Sequence, residues 1–295
     1  MNSTVKIKSA IVVALLLSLT GCNGRQGNEK IISVTIEPQR YFAERIGGDK
    51  FTIHTVVPAG QSPETYDPAP QQMIRVSKSL AYLQIGYIGF EQAWMQNIRE
   101  NNPEMKIFDL SEGIELIHGT DEADGADDHR DHHHAGIDPH IWSSIRGAKT
   151  IARNTLSAFL ALDKEHTPYY RQNYNRLMEE IDETGAELAK WTSLLSNRTF
   201  IIYHPALTYF AKEFNLTQLC IEMDGKEPSP AQLKGLVETA KEHQTKVVFI
   251  QQEFDRKNAE LIAKETGCRL VTINPLAYNW SEEMIHIGKS LAGDE

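Results

Sequence analysis

Strand and helix signals alternate along nearly all of this 295-residue chain, and one central helix is too long to belong to the alternation. Residues 30–36 alternate apolar and polar positions with β-branched side chains, which predicts a strand. Residues 38–46 predict a helix closed by Gly47-Gly48. Strands over 51–57, 80–85 and 106–110 follow, with helices over 70–77 and 90–99 between them. After an interruption come a helix over 144–162 and a second from Thr167, with Thr167 as N-cap and Pro168 at N1. In that second helix Tyr170, Tyr174, Leu177, Ile181, Leu188 and Trp191 recur at spacings of three, four and seven. Roughly 27 residues at about 1.5 Å each give a rod about 40 Å long. The alternation then resumes: strands over 199–203, 217–221, 246–250 and 269–273, and a helix opened by His204-Pro205. Further helices run from a Ser229-Pro230-Ala231-Gln232 capping box to about 243, over 257–266 before Gly267, and from near Ser281. Such a pattern predicts an α/β protein of two lobes. Each has a mostly parallel sheet flanked by helices, and one long rigid helix joins them. The expected boundaries are 30–143, 144–195 for the linking helices, and 196–295.

The chain ahead of residue 30 reads differently. Lys6 and Lys8 precede the apolar run Ala10 to Leu19, which is too short to span a bilayer as a mature helix. Leu19-Thr20-Gly21-Cys22 resembles the bacterial lipoprotein processing site, which makes 1–21 a signal peptide and Cys22 the lipidated residue. Residues 22–29 have tether composition. The protein is therefore expected outside the cytoplasm, in a periplasm or at a cell surface, held to a bacterial membrane by lipid and not by a helix. For an exported chain a disulfide between Cys220 and Cys268 is permitted, and two buried thiols are an equal alternative. A formal charge of −10 argues against nucleic acid and suits a cationic or neutral ligand.

Ligands of open α/β sheets bind beyond the carboxyl ends of the strands. That places Gln61 to Asp67, His204, Gln251 to Glu253 and Asn274 at strand ends, with His140 just ahead of the first linking helix. The interruption at 118–136 is a loop of acids and histidines, His118, His129, His132, His133 and His134 among them. Histidine with aspartate at that density suggests metal. A zinc enzyme outside the cytoplasm is the rival class, but neither His-Glu-x-x-His nor Gly-x-Ser-x-Gly occurs. A surface adhesin and a zinc buffer without a transporter are further alternatives. No long apolar patch or repeat supports the first, and sequence does not separate the second from a transport role.

Six pieces of the chain occur together in one family's order: the Leu19-to-Cys22 site, Pro58 to Pro68, Asp138-Pro139-His140-Ile141-Trp142, Tyr203-His204-Pro205-Ala206, Gly225 to Leu233, and Asn274-Pro275-Leu276-Ala277. On these the chain resembles the metal-binding lipoproteins that feed zinc or manganese to ABC importers. The resemblance implies a monomer with the metal in the cleft between its lobes, delivery to a permease and its ATPase subunits, and no enzymatic activity. It implies His140 and His204 as ligands. At two positions the chain departs from the family: Glu64 stands where His is usual, and Asn274 where Asp is usual. One reading is a degenerate site. The other is an exchange, in which Glu64 supplies the carboxylate that 274 lacks and the site charge around Zn²⁺ stays at +1. Manganese members usually carry a carboxylate where His204 stands, so the resemblance favours Zn²⁺ over Mn²⁺. By the same comparison the histidine loop is an accessory that fetches zinc. Gln251 orients a ligand where the family often has an acid, the Gly225-to-Pro230 turn fixes a loop beside the cleft, and Tyr66 and Trp142 pack the cleft.

Overall fold

The computed structural model describes residues 30–118, 136–222 and 225–294. The signal peptide, the tether with Cys22, and His129, His132, His133 and His134 lie outside the described residues.

Each lobe holds a four-stranded sheet. In the first, β1 (Ile31–Val34), β2 (Thr52–Thr55), β3 (Ala81–Gln84) and β4 (Lys106–Asp109) lie in the order β2-β1-β3-β4. In the second, β5 (Thr199–Ile202), β6 (Thr217–Cys220), β7 (Val247–Gln251) and β8 (Arg269–Ile273) repeat that order as β6-β5-β7-β8. Every strand pair is parallel, where the sequence led us to expect mostly parallel pairing. A parallel sheet is covered on both faces, so its central strands are apolar throughout, and all five residues of β7 are buried. The helices that cover the sheets are α1 (Glu37–Gly47), α2 (Pro70–Val76) and α3 (Gly89–Asn101) in the first lobe. Those of the second are α6 (Thr208–Glu213), α7 (Pro230–Glu242), α8 (Lys257–Thr266) and α9 (Trp280–Ala292). The Ser229–Gln232 capping box opens α7 as expected, the Gln232 Oε1 accepting from the Ser229 N–H at 2.8 Å.

Between the lobes run α4 (Ile145–Leu162) and α5 (Thr167–Ser193), the latter 27 residues long. Tyr170, Leu177, Ile181 and Leu188 form its buried stripe. Two helix starts differ from expectation. His166, not Thr167, is the N-cap of α5, because a 3₁₀ turn over Lys164–His166 already leads into the helix and the Thr167 hydroxyl donates to the Lys164 carbonyl. Likewise α6 starts at Thr208. His204-Pro205 forms a tight turn before it, in which the Ala206 N–H returns to the His204 carbonyl at 2.7 Å, so His204 is not a helix N-cap.

One hydrophobic core runs from Ile32 in the first lobe to Ile287 in the second, so the lobes are not separate bodies. Polar ties reinforce it. The Trp142 indole donates to the Pro275 carbonyl (2.9 Å), and the Trp280 indole donates to the Trp142 carbonyl (2.6 Å). Tyr278 donates to Glu44 at 2.6 Å. Where α9 crosses α5, a Cβ at Gly288 would stand 2.7 Å from Leu188 Cδ2, so a larger residue there would have to displace the Leu188 side chain. Cys268 donates its thiol to the Thr245 carbonyl at 3.1 Å and is not joined to Cys220, which resolves the open disulfide question for the described residues. Among the described residues no helix is long and apolar enough to cross a membrane.

Candidate metal centre

His140 and His204 come from different lobes and meet in the cleft, their Nε2 atoms 3.3 Å apart. Each ring is held from behind by a carboxylate. Asp138 Oδ1 lies 2.9 Å from His140 Nδ1 and also accepts the His140 backbone N–H at 2.8 Å. Glu222 Oε2 lies 3.0 Å from His204 Nδ1. Ionised carboxylates only accept, so these partners assign a proton to each Nδ1 and leave a lone pair on each Nε2. Two such nitrogens at this distance need a cation between them, either a proton carried by one ring or a metal ion shared by both. Two nitrogens bound to one tetrahedral zinc at about 2.0–2.1 Å would be about 3.3–3.4 Å apart, so the spacing matches a shared ion.

The backbone around the two rings is fixed as well. Gln251, the last residue of β7, accepts the His204 N–H (3.3 Å) and donates to the His204 carbonyl (2.7 Å). Phe254 stacks on the His204 ring with centroids 5.4 Å apart, and Trp142 lies against His140 at 5.1 Å. Tyr209, from the second lobe, donates to the Asp138 carbonyl at 3.0 Å and accepts the Ile117 N–H at 3.1 Å. Burial of Tyr209 pushes its phenol up to about 12, so it stays a donor. His118 pairs with Ile137 as an isolated bridge at the root of the histidine loop, which places that root beside Asp138. The His118 side chain is exposed there and stays outside the cavity.

Two carboxylates complete the lining. Glu64 Oε2 accepts the Gly89 N–H at 3.0 Å, at the first turn of α3, where the helix dipole favours negative charge. A Cβ at Gly89 would stand 2.4 Å from the Glu64 carbonyl oxygen, so the cradle requires glycine. Glu64 Oε1 is buried with no hydrogen-bond partner, and so is Glu253 Oε2, two residues past the end of β7. Burial raises the Glu253 pKa although His204 and His140 pull it down. Burial also works against a charged His140, yet Asp138, Glu64 and Glu253 leave its pKa above the ordinary value. Asp138 is the counterpart: burial would raise it, and His140 holds it below the usual carboxylate range.

Asn274 is not brought into this group. Its Oδ1 accepts the Leu276 N–H at 3.2 Å, its own N–H donates to Glu283 at 2.7 Å, and Pro275 and Leu276 line the cavity in its place. Tyr66 sits apart from the lining, packed on Phe90 and donating to Gln72. Among the described residues, the one group of three donors within 4.8 Å of one another is Asp163, Glu165 and His166, outside the cleft. Asp163 is already engaged there by Lys30 at 2.7 Å and by Tyr170 and His166, so that cluster is a structural ion pair. In the cleft the imidazoles are closer to each other, while the carboxylates stand further back. The lining leaves free space at the centre for about a single ion.

Asp138, Glu222 and Glu253 were not assigned roles from sequence. Each had a signal: Asp138 sits in the Asp-Pro-His motif, Glu222 follows β6, and Glu253 follows β7.

Two like lobes closing on a cavity of this size define a solute-binding protein for metal ions. The family model for the zinc-uptake complex component A, periplasmic, matches residues 32–288. The chain belongs to this family, the metal solute-binding proteins of ABC importers. A crystal structure of ZnuA superposes with a TM-score of 0.82 at 34% identity, covering 90% of this chain and 99% of that one. The zinc-binding lipoprotein AdcA of Streptococcus pneumoniae (strain ATCC BAA-255 / R6) is 25% identical over 92% of this chain. This chain spans 55% of the length of AdcA. The iron ABC transporter substrate-binding lipoprotein MtsA of Streptococcus pyogenes serotype M1 is 23% identical, over 88% of this chain and 83% of that relative.

Proposed function

We propose that this protein captures Zn²⁺ outside the cytoplasm, tethered to a bacterial membrane by lipid on Cys22, and delivers it as a monomer to the permease of an ABC importer. The observation that carries this reading is the pair of Nε2 atoms 3.3 Å apart, one from each lobe, each ring braced through Nδ1 by a carboxylate. Imidazole suits zinc, and carboxylate-braced imidazole is the usual arrangement around it. Glu64, His140 and His204 hold the ion. Gln251 fixes the His204 backbone, and His118, His129, His132, His133 and His134 gather zinc at the mouth of the cleft. The metal is cargo, so the protein needs no general base and no open coordination position for a substrate. The shared core and the α5 brace imply small adjustments on loading instead of wide hinge closure.

A second reading follows from the carboxylates. Oxygen donors favour manganese or iron, and MtsA is by name an iron-binding relative. Metal analysis of the purified protein, with competition against a chelator of known zinc affinity, tests both. His140→Ala and His204→Ala should each lower zinc affinity by more than about 100-fold, since even outer partners of a ligand are worth about 10–100-fold. Wild-type affinity in either variant would remove the basis of the proposal.

A further inference from the structure

We propose that Glu253 is the fourth metal donor in this chain, completing from the end of β7 a neutral set of two imidazoles and two carboxylates. This rests on the function proposed above. Four atoms around the cavity converge on it: His140 Nε2 and His204 Nε2, which face each other at 3.3 Å, and Glu64 Oε1 and Glu253 Oε2, which are buried without a hydrogen bond. A buried polar atom left unpaired costs about 1–3 kcal/mol, and more when charged, so two such oxygens lining a one-ion cavity imply a ligand that pays that cost back. Position 274 does not fill the role in this arrangement, because its side chain turns to the Leu276 N–H and does not line the cavity.

Counting the donors alone, Zn²⁺ with two neutral imidazoles and two carboxylates sums to zero, and the Asp138 and Glu222 carboxylates behind the imidazoles lie outside that sum. Glu253 also adjoins Phe254, which stacks on His204, so a small shift of the turn after β7 moves donor and imidazole together. The donor set is then half nitrogen and half oxygen. Such a set binds zinc while admitting manganese or ferrous iron more readily than an imidazole-rich site does.

The test uses the full mature chain with Zn²⁺, Mn²⁺ and Co²⁺ as probes. Glu253→Gln keeps the shape of the side chain and removes its charge. It should weaken Zn²⁺ binding at least about tenfold and Mn²⁺ binding more. The visible spectrum of the Co²⁺-loaded protein should change as a carboxylate donor is lost, and Glu253→Asp should recover part of the affinity. Thermal melts of the metal-free variants verify folding. If Glu253→Gln binds Zn²⁺ and Mn²⁺ as the wild type does, Glu253 is not a donor, and the proposed function still stands provided His140→Ala has lost binding. If affinity falls but the Co²⁺ spectrum is unchanged, Glu253 acts by positioning His204 and the assignment as donor is wrong. If His140→Ala binds normally as well, the proposed function itself fails.

Discussion

The two lobes share one strand order, so each has a crevice where its first and third strands diverge into opposite crossovers. They use it in opposite ways. In the first lobe the crevice is plugged. Glu91, buried on α3, accepts the Thr35 hydroxyl just past β1 and the Ile85 and Gly86 N–H groups just past β3. Tyr82 closes the network through Thr35 at 2.9 Å. In the second lobe the same place opens on the cavity. His204 lies past β5, Gln251 ends β7 and pins the His204 backbone, and Glu253 follows with an oxygen left over. A satisfied buried glutamate is part of the scaffold, whereas an unsatisfied one awaits a ligand. With its own crevice closed, the first lobe lines the cavity from loops, through Glu64 after β2 and His140 after the histidine loop.

The largest effect should come from breaking the plug. Glu91→Ala strands two N–H groups and a hydroxyl in the core, which at about 1–3 kcal/mol each predicts a loss of at least about 3 kcal/mol in a urea melt. Glu253→Gln, by contrast, breaks no hydrogen bond at Oε2 and should melt no lower than wild type. Equal melts for the two variants would erase the distinction between the crevices. The pH dependence separates them further. Burial raises Glu91 from an ordinary 4.5 to about 7, against hydrogen bonds from Thr35, Ile85 and Gly86 that pull it down. Because the folded state then holds a proton the unfolded chain has released, Glu91's contribution is fullest below pH about 4.5. It declines as pH rises toward about 7, by up to about 3 kcal/mol. Glu91→Gln should flatten that part of the stability profile.

Next in size are the braces, one for each imidazole. Asp138→Ala and Glu222→Ala should each cost about 10–100-fold in zinc affinity, since a carboxylate on Nδ1 fixes the tautomer and raises the basicity of Nε2. Similar losses would mean that the lobes share the ion evenly. A titration in which only one variant weakens would show that one lobe captures the metal and the other merely closes over it.

Much of this was legible in the sequence because it depends on pattern. The apolar runs of a doubly covered sheet and the stripe from Tyr170 to Leu188 announce themselves, and so do histidines at strand ends. Strand lengths were overestimated: residues such as Thr35, Ile36 and Val57 are buried and apolar or β-branched, but lie past the last ladder pair. The helix start at 205 differs because proline fits a turn as well as N1, and only the backbone path after β5 decides; the start at 167 differs by one residue because the 3₁₀ turn over Lys164–His166 leads into the helix. The fourth donor was illegible for a related reason. Glu253 and Asn274 both follow strands of one sheet, and which of them faces the cleft depends on turn geometry that no local spacing encodes.

Asn274 provides the finest test. Its oxygen accepts the Leu276 N–H, so Asn274→Ala should cost about 1 kcal/mol of stability, while zinc affinity stays within about threefold. Asn274→Asp is more discriminating. It restores the carboxylate that the family usually carries there, but the Glu283 carboxylate already accepts the N–H of residue 274 at 2.7 Å, so a second negative charge meets repulsion. An aspartate at 274 keeps its oxygen on the Leu276 N–H and leaves the ion to Glu253, so zinc binding should not tighten. A gain of about tenfold or more would mean that the side chain at 274 can turn into the cleft. The division of labour between the turns after β7 and β8 would then have to be reversed.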